Sequence, residues 1–164
     1  MRRLLALTIF STLPATAVAQ HGAHATASLE GPDGQEMGTV EFHGTADGIL
    51  VRVDAMNLPE GPHGLHLHET GACSPDFEAA GGHFAPDGNQ HGFLDENGPH
   101  AGDLPMIFVS AEGTALADFF TQLVTLDALM DGDGAAVIVH AEPDTYRDPS
   151  ETGARIACGV IEEM

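Results

Sequence analysis

Residues 63–69 read HGLHLHE. In an extended chain successive side chains point to opposite faces, so His66 and His68 share one face and Leu67 takes the other. Two imidazoles side by side on a stiff backbone make an ordinary surface or a good chelate. The choice between them rests on where the remaining histidines lie.

The surrounding sequence fits a strand at this point. Short alternating or β-branched runs are separated by Gly, Pro and Asp, as in an antiparallel all-β domain. The runs fall at 24–30, 38–44, 49–56, 65–68, 106–110, 115–122, 135–140 and 155–161, with a GPDG turn at 31–34. That count predicts an eight-stranded antiparallel Greek-key barrel or sandwich. Two stretches break the rhythm: a Gly/Pro/Asp-rich segment over 69–105 and a polar one over 141–154. Loops of this length are uncommon unless functional or disordered, so both are expected to carry function. LVTLDALM (123–130) has room for a helical turn or two.

The first residues, MRRLLALTIFSTLPATAVAQ, combine Arg2 and Arg3, an apolar run broken by Pro14, and the small-residue ending Ala17-Val18-Ala19. This is a secretory signal, with cleavage expected before Gln20; residues 1–19 form the leader and 20–164 one domain. Losing Arg2 and Arg3 with the leader takes the formal charge from −20 to −22, and there is no lysine. A chain that acidic is a poor partner for nucleic acid or an anionic membrane. No later run is long and apolar enough to cross a bilayer, so no membrane insertion is expected once the leader is removed. Cys73 and Cys158 are the only cysteines. In an exported chain such a pair reads first as a disulfide, closing a loop of about 85 residues, with a thiolate metal site as the alternative.

The other histidines cluster in and beside the loops. His83, His91, His100 and Asp103 lie in the long segment, and the run VIVH delivers His140. Metal binding free energy becomes folding free energy, so metal would order a loop that buries little apolar surface. Imidazoles with one carboxylate suit Zn²⁺, and an all-imidazole set also suits copper. His21 and His24 are expected in a tail, and His43 on a strand surface.

Five ordered motifs sharpen this reading: HGLHLHETGAC (63–73), GGHFAPDGNQH (81–91), HAGDL (100–104), VIVHAEPD (137–144) and GARIACGVI (153–161). Together they resemble the copper–zinc superoxide dismutase family, in its bacterial exported form, over nearly all of the mature chain. The resemblance implies an oxidoreductase that converts superoxide to dioxygen and hydrogen peroxide with one copper and one zinc ion. It implies copper ligands at His66, His68, His83 and His140, and zinc ligands at His83, His91, His100 and Asp103, with His83 bridging. By the same likeness Asp144 tethers a ligand of each metal through its outer nitrogen, and such partners fix tautomer and ring direction. Arg155 takes the place of the family's substrate-guiding arginine, beside a Cys73–Cys158 disulfide. His63 matches a structural position. A cupin also places a His-x-His pair on a β-barrel, but that reading leaves His91, His100 and Asp103 without a role. The expected setting is periplasmic or otherwise extracytoplasmic, with the chain a monomer or homodimer. The 141–154 loop carries no lysine, so the family's steering lysines have no counterpart except Arg147.

Overall fold

The structure, a computed structural model, describes residues 22–164. The leader, its cleavage site and His21 lie outside the described residues. Alternation of small or branched apolar residues with polar ones builds strands β1 (His24–Glu30), β2 (Glu36–Thr45) and β3 (Gly48–Ala55). Their inward set, including Ala27, Leu29, Val40, Phe42, Ile49 and Val51, is fully buried. Gly48 opens β3 where a side chain would collide with the Thr121 carbonyl, so only glycine allows that approach.

The remaining strands are β4 (Gly61–His63), β5 (Leu65–His68), β6 (Ile107–Val109), β7 (Ala115–Thr121), β8 (Ala136–His140), β9 (Arg155–Val160) and β10 (Glu162–Glu163). All strand pairs are antiparallel. The main sheet runs β5-β8-β9-β1-β2-β3-β7, with β10 also on β1, and β4 pairs with β6. Strand β4 continues into β5 across Gly64, and β9 into β10 across Ile161, so the ten segments reduce to the eight strands expected. The Pro- and Gly-containing stretch 59–64, outside the strand runs expected from the sequence, supplies Gly61–His63, which pairs with β6. Pro62 has no N–H to donate, which a short edge ladder tolerates. Thr125 caps the single helical turn α1 (Leu126–Leu129) by accepting from the Ala128 N–H.

Strand β8 is buried along its whole length. Val137 and Val139 face the main core, whereas Ala136 and Ile138 face a small cluster with Ala80, Cys158, Cys73 and Phe77. The cover on this outer face is the long 69–105 loop. The loop therefore buries more apolar surface than its composition suggests, because Phe84 and Leu104 also enter the main core. The disulfide joins Cys73 to Cys158 with Cα atoms 5.9 Å apart, and no thiolate is left for a metal. No helix among the described residues is long and apolar enough to cross a membrane.

Candidate metal centre

Register sets the first half of the site. His66 lies opposite Ile138 and His68 opposite Ala136, so both imidazoles stand on the outer face of β5 and β8, under the loop. His140 ends β8 on the same face. Three backbone hydrogen bonds of 2.8 Å, Phe84 N–H to Leu67, Leu67 N–H to Gly102 and Gly102 N–H to Phe84, fasten the loop across β5. A side chain at Gly102 would strike the Leu67 carbonyl, which explains glycine inside HAGDL. This stitching brings His83 and Asp103 beside the two strand histidines.

Donor atoms of His66, His68, His83 and His140 lie within 4.8 Å of one another. His66 Nε2 donates to Asp144 Oδ2 at 2.7 Å, and His68 Nδ1 donates to the Gly81 carbonyl at 3.0 Å. Both partners only accept, so His66 Nδ1 and His68 Nε2 carry lone pairs. Those two atoms and both His140 ring nitrogens are buried with no hydrogen-bond partner. Burying such groups unpaired is costly, and a native fold that does so usually supplies them with a ligand. Burial, reinforced by the neighbouring histidines, pulls the pKa of His66 down to about 4, His140 to about 3 and His68 to about 2. These rings are neutral, the state a soft divalent or monovalent metal needs.

The second set surrounds one oxygen. Asp103 Oδ1 stands 3.2 Å from His83 Nδ1, 3.1 Å from His91 Nδ1 and 3.3 Å from His100 Nδ1, and the last is 3.3 Å from His83 Nδ1. A tetrahedral zinc ion with bonds of about 2.0 Å has ligand–ligand edges of about 3.3 Å. The four separations, three to Asp103 Oδ1 and one between His83 and His100, match that edge. Asp103 Oδ2 is held by the N–H groups of Gly92 (2.8 Å) and His100 (3.0 Å), and the carboxyl pKa is lowered despite its burial. His66 also lies within 4.8 Å of His83, His91 and Asp103, but its Nε2 is committed to Asp144.

Asp144 joins the two sets. One oxygen accepts from His66 and the other from His91 Nε2 at 2.9 Å and from the Tyr146 N–H at 2.7 Å. For His91, burial works against the charged ring, but Asp103 and Asp144 together outweigh it and lift its pKa to about 9. With an acceptor on each nitrogen, His91 carries both protons in the metal-free protein, and zinc at Nδ1 would displace one.

The sequence of one family is consistent with this geometry. A sequence model described as Copper/zinc superoxide dismutase (SODC) matches residues 36–161. The chain belongs to the copper/zinc superoxide dismutase family. It is 39% identical over 147 residues to the Superoxide dismutase [Cu-Zn] of Caulobacter vibrioides, covering 84% of each chain. The solved Cu/Zn superoxide dismutase from Brucella abortus superposes with a TM-score of 0.74 at 31% identity, over 85% of this chain and 99% of that one. A solved SOD-like protein from Bacillus subtilis gives 0.74 at 35%, over 82% and 96%.

Within this dismutase fold, Arg155 Nη1 donates to the Phe77 carbonyl at 2.6 Å and Nη2 to the Gly81 carbonyl at 2.7 Å. Gly81 thus orients His68 and anchors Arg155 with one oxygen. Glu78 Oε2 lies 3.4 Å from Arg155 Nη2. His63 is buried with Nδ1 2.8 Å from the His140 carbonyl and Nε2 2.8 Å from that of Pro59, a structural position. Arg147 is exposed and donates to the Leu94 carbonyl. The structure thus brings together all seven expected ligands, Asp144 and Arg155. Sequence reasoning missed Glu78 and the backbone groups of Gly81, Gly92 and Tyr146; a backbone donor leaves no mark in residue type.

Proposed function

We propose that the chain disproportionates superoxide, two anions and two protons giving one dioxygen and one hydrogen peroxide. Copper is assigned to His66 Nδ1, His68 Nε2, His140 and His83, and zinc to the Nδ1 atoms of His83, His91 and His100 with Asp103. The observation that carries this is the convergence of buried, unpartnered imidazole nitrogens beside a second set gathered around Asp103 Oδ1, with His83 in both. When bound, copper supplies the one-electron exchange and zinc a fixed positive charge without redox chemistry.

The chain's own residues do the rest. His83 turns Nδ1 to the zinc set, which leaves Nε2 to face the copper set and to hold or return a proton as the electron moves. Asp144 keeps His66 and His91 in fixed orientation, so one ring of each set would hold its direction toward a bound metal. Arg155, locked by two carbonyls, offers its guanidinium to the anion. Two divalent ions less the charges of Asp103, Asp144 and a deprotonated His83 leave about +1 locally, the Arg155 charge is partly offset by Glu78 at 3.4 Å, and carboxylates beyond a Debye length of about 8 Å are screened. Local attraction wins over the −22 background. The disulfide and leader-like start fit an exported protein. We place it in the periplasm as a monomer or homodimer.

Binding metal without turnover is the other reading of a dismutase-like fold. Mature protein loaded with copper and zinc should hold one of each and consume superoxide, and zinc-only protein should not. Full metal content without superoxide consumption overturns the enzyme assignment in favour of a metal store.

A further inference from the structure

One histidine pair lies outside the dismutase centre. His24 opens β1 and is the cross-strand partner of His43 on β2, so it sits in the sheet and not in a tail. Their Nδ1 atoms are 2.6 Å apart, and the rings meet edge to face with centroids 4.6 Å apart. Glu41, two residues before His43 and on the same face, has Oε2 3.3 Å from His43 Nε2. Arg52, opposite Glu41, is engaged by Asp118 at 3.2 Å and leaves that carboxylate to the histidine.

We infer that His24 and His43 form a separate, exchangeable Cu²⁺ site on the outer face of β1 and β2. The chemistry has three parts. Glu41 only accepts, so it keeps the His43 proton on Nε2 and leaves Nδ1 as a lone pair. That is the carboxylate–histidine arrangement that orients metal ligands elsewhere. Strand pairing then holds the second Nδ1 opposite without loop ordering. Finally, the bite selects the metal. Adjacent ligands of a square-planar ion with bonds of about 2.0 Å stand about 2.8 Å apart, against about 3.3 Å for a tetrahedron. In the metal-free protein His24 Nδ1 donates to the His43 lone pair at 2.6 Å; Cu²⁺ would displace that proton, and the contact opens to the first spacing by a smaller ring rotation than to the second. Cu²⁺ also outranks Zn²⁺ for nitrogen ligands in general. His24 is six residues from Glu30, which pairs with Cys158. At about 3.3 Å per residue that is about 20 Å along β1, too far to share a metal with the buried centre.

The test uses mature protein already loaded with copper and zinc, titrated with CuSO₄ under equilibrium dialysis and read by electron paramagnetic resonance. One additional Cu²⁺ per chain should bind, with a tetragonal signal, while the superoxide consumption of the resident centre is unchanged. His24→Ala and His43→Ala should each abolish it, and Glu41→Gln should weaken it by about 10-fold or more. ZnSO₄ should compete poorly. Loss with His24→Ala but not His43→Ala would assign the metal to the amino-terminal segment and overturn the proposal. So would uptake that survives both changes, effective competition by zinc, or no uptake beyond the resident ions.

Discussion

Replacing both cysteines tests how far the disulfide, and not metal alone, holds the site. Cys158 is buried, so alanine is the right substitute; a serine hydroxyl would be stranded without a partner. Cys73 and Cys158 are separated by 85 residues, for which the chain-entropy model gives about 4.6 kcal/mol. Removing native disulfides typically costs about 2–5 kcal/mol, so a loss of about 2–4.6 kcal/mol is expected. For a domain of this length each kcal/mol shifts Tm by about 3.5 °C, which predicts a fall of about 7–16 °C in the metal-free double variant. Calorimetry of metal-free protein reads this directly. The functional consequence follows from where the loop is pinned. Phe77 and Gly81, whose carbonyls anchor Arg155, lie just beyond Cys73, and Gly81 also orients His68. The variant should therefore release zinc to a chelator faster and lose superoxide turnover by more than its copper content falls. A Tm within 2 °C of wild type would refute the stability argument. Unchanged zinc release with unchanged turnover would refute the idea that the bridge pins the site.

Arg155→Ala should lower the second-order rate with superoxide substantially without displacing copper, and raising ionic strength should depress its rate less than that of wild type. A steep fall with salt that persists in the variant would place steering elsewhere. Glu78→Gln should do the opposite: its carboxylate stands 3.4 Å from the Arg155 guanidinium, so neutralising it should raise the rate by less than about fivefold at low salt. An unchanged or lower rate would show that the pair does not restrain Arg155. In metal-free protein the depressed pKa values of His66, His140 and His68 favour the fold above about pH 6.5. That stability is lost as pH falls towards about 4, 3 and 2, each ring contributing at most about 1.4 kcal/mol per pH unit. His91, raised to about 9, acts in the other sense, contributing below pH 6.5 and fading as pH climbs through 9. Urea unfolding between pH 4 and 9 checks both signs; greater stability at pH 4.5 than at 6.5 would contradict the buried, neutral rings.

Most of the strands were legible because each writes its own period. The alternation in β2 and β3 and the β-branched run of β8 are local signals, and the structure places strands there. Gly61–His63 was not legible, because a pairing partner 46 residues away overrode the turn chemistry of Pro and Gly. The long loop shows the same limit. Its composition suggests little burial, yet Phe84 and Leu104 reach the main core, next to the backbone hydrogen bonds that fasten residues 84 and 102 to Leu67 of β5. At the metal centre, side-chain types marked His66, His68, His83, His91, His100, Asp103 and His140 through motif order. What holds them is mostly backbone: the Gly81 carbonyl on His68 and Arg155, and the N–H groups of Gly92 and His100 on Asp103. The contact between His24 and His43 was not legible for another reason. They are 19 residues apart, and only strand register makes them neighbours.

The central claim is that one imidazole, His83, belongs to two metal sets and that the paired centre turns over superoxide. It is tested most directly by measuring copper content, zinc content and superoxide decay together in His83→Ala and, as a surface control, His43→Ala. The account predicts that His83→Ala disturbs both resident metals and lowers the rate severely, while His43→Ala leaves the resident pair and the rate at wild-type values. Equal, small effects of the two substitutions would contradict it.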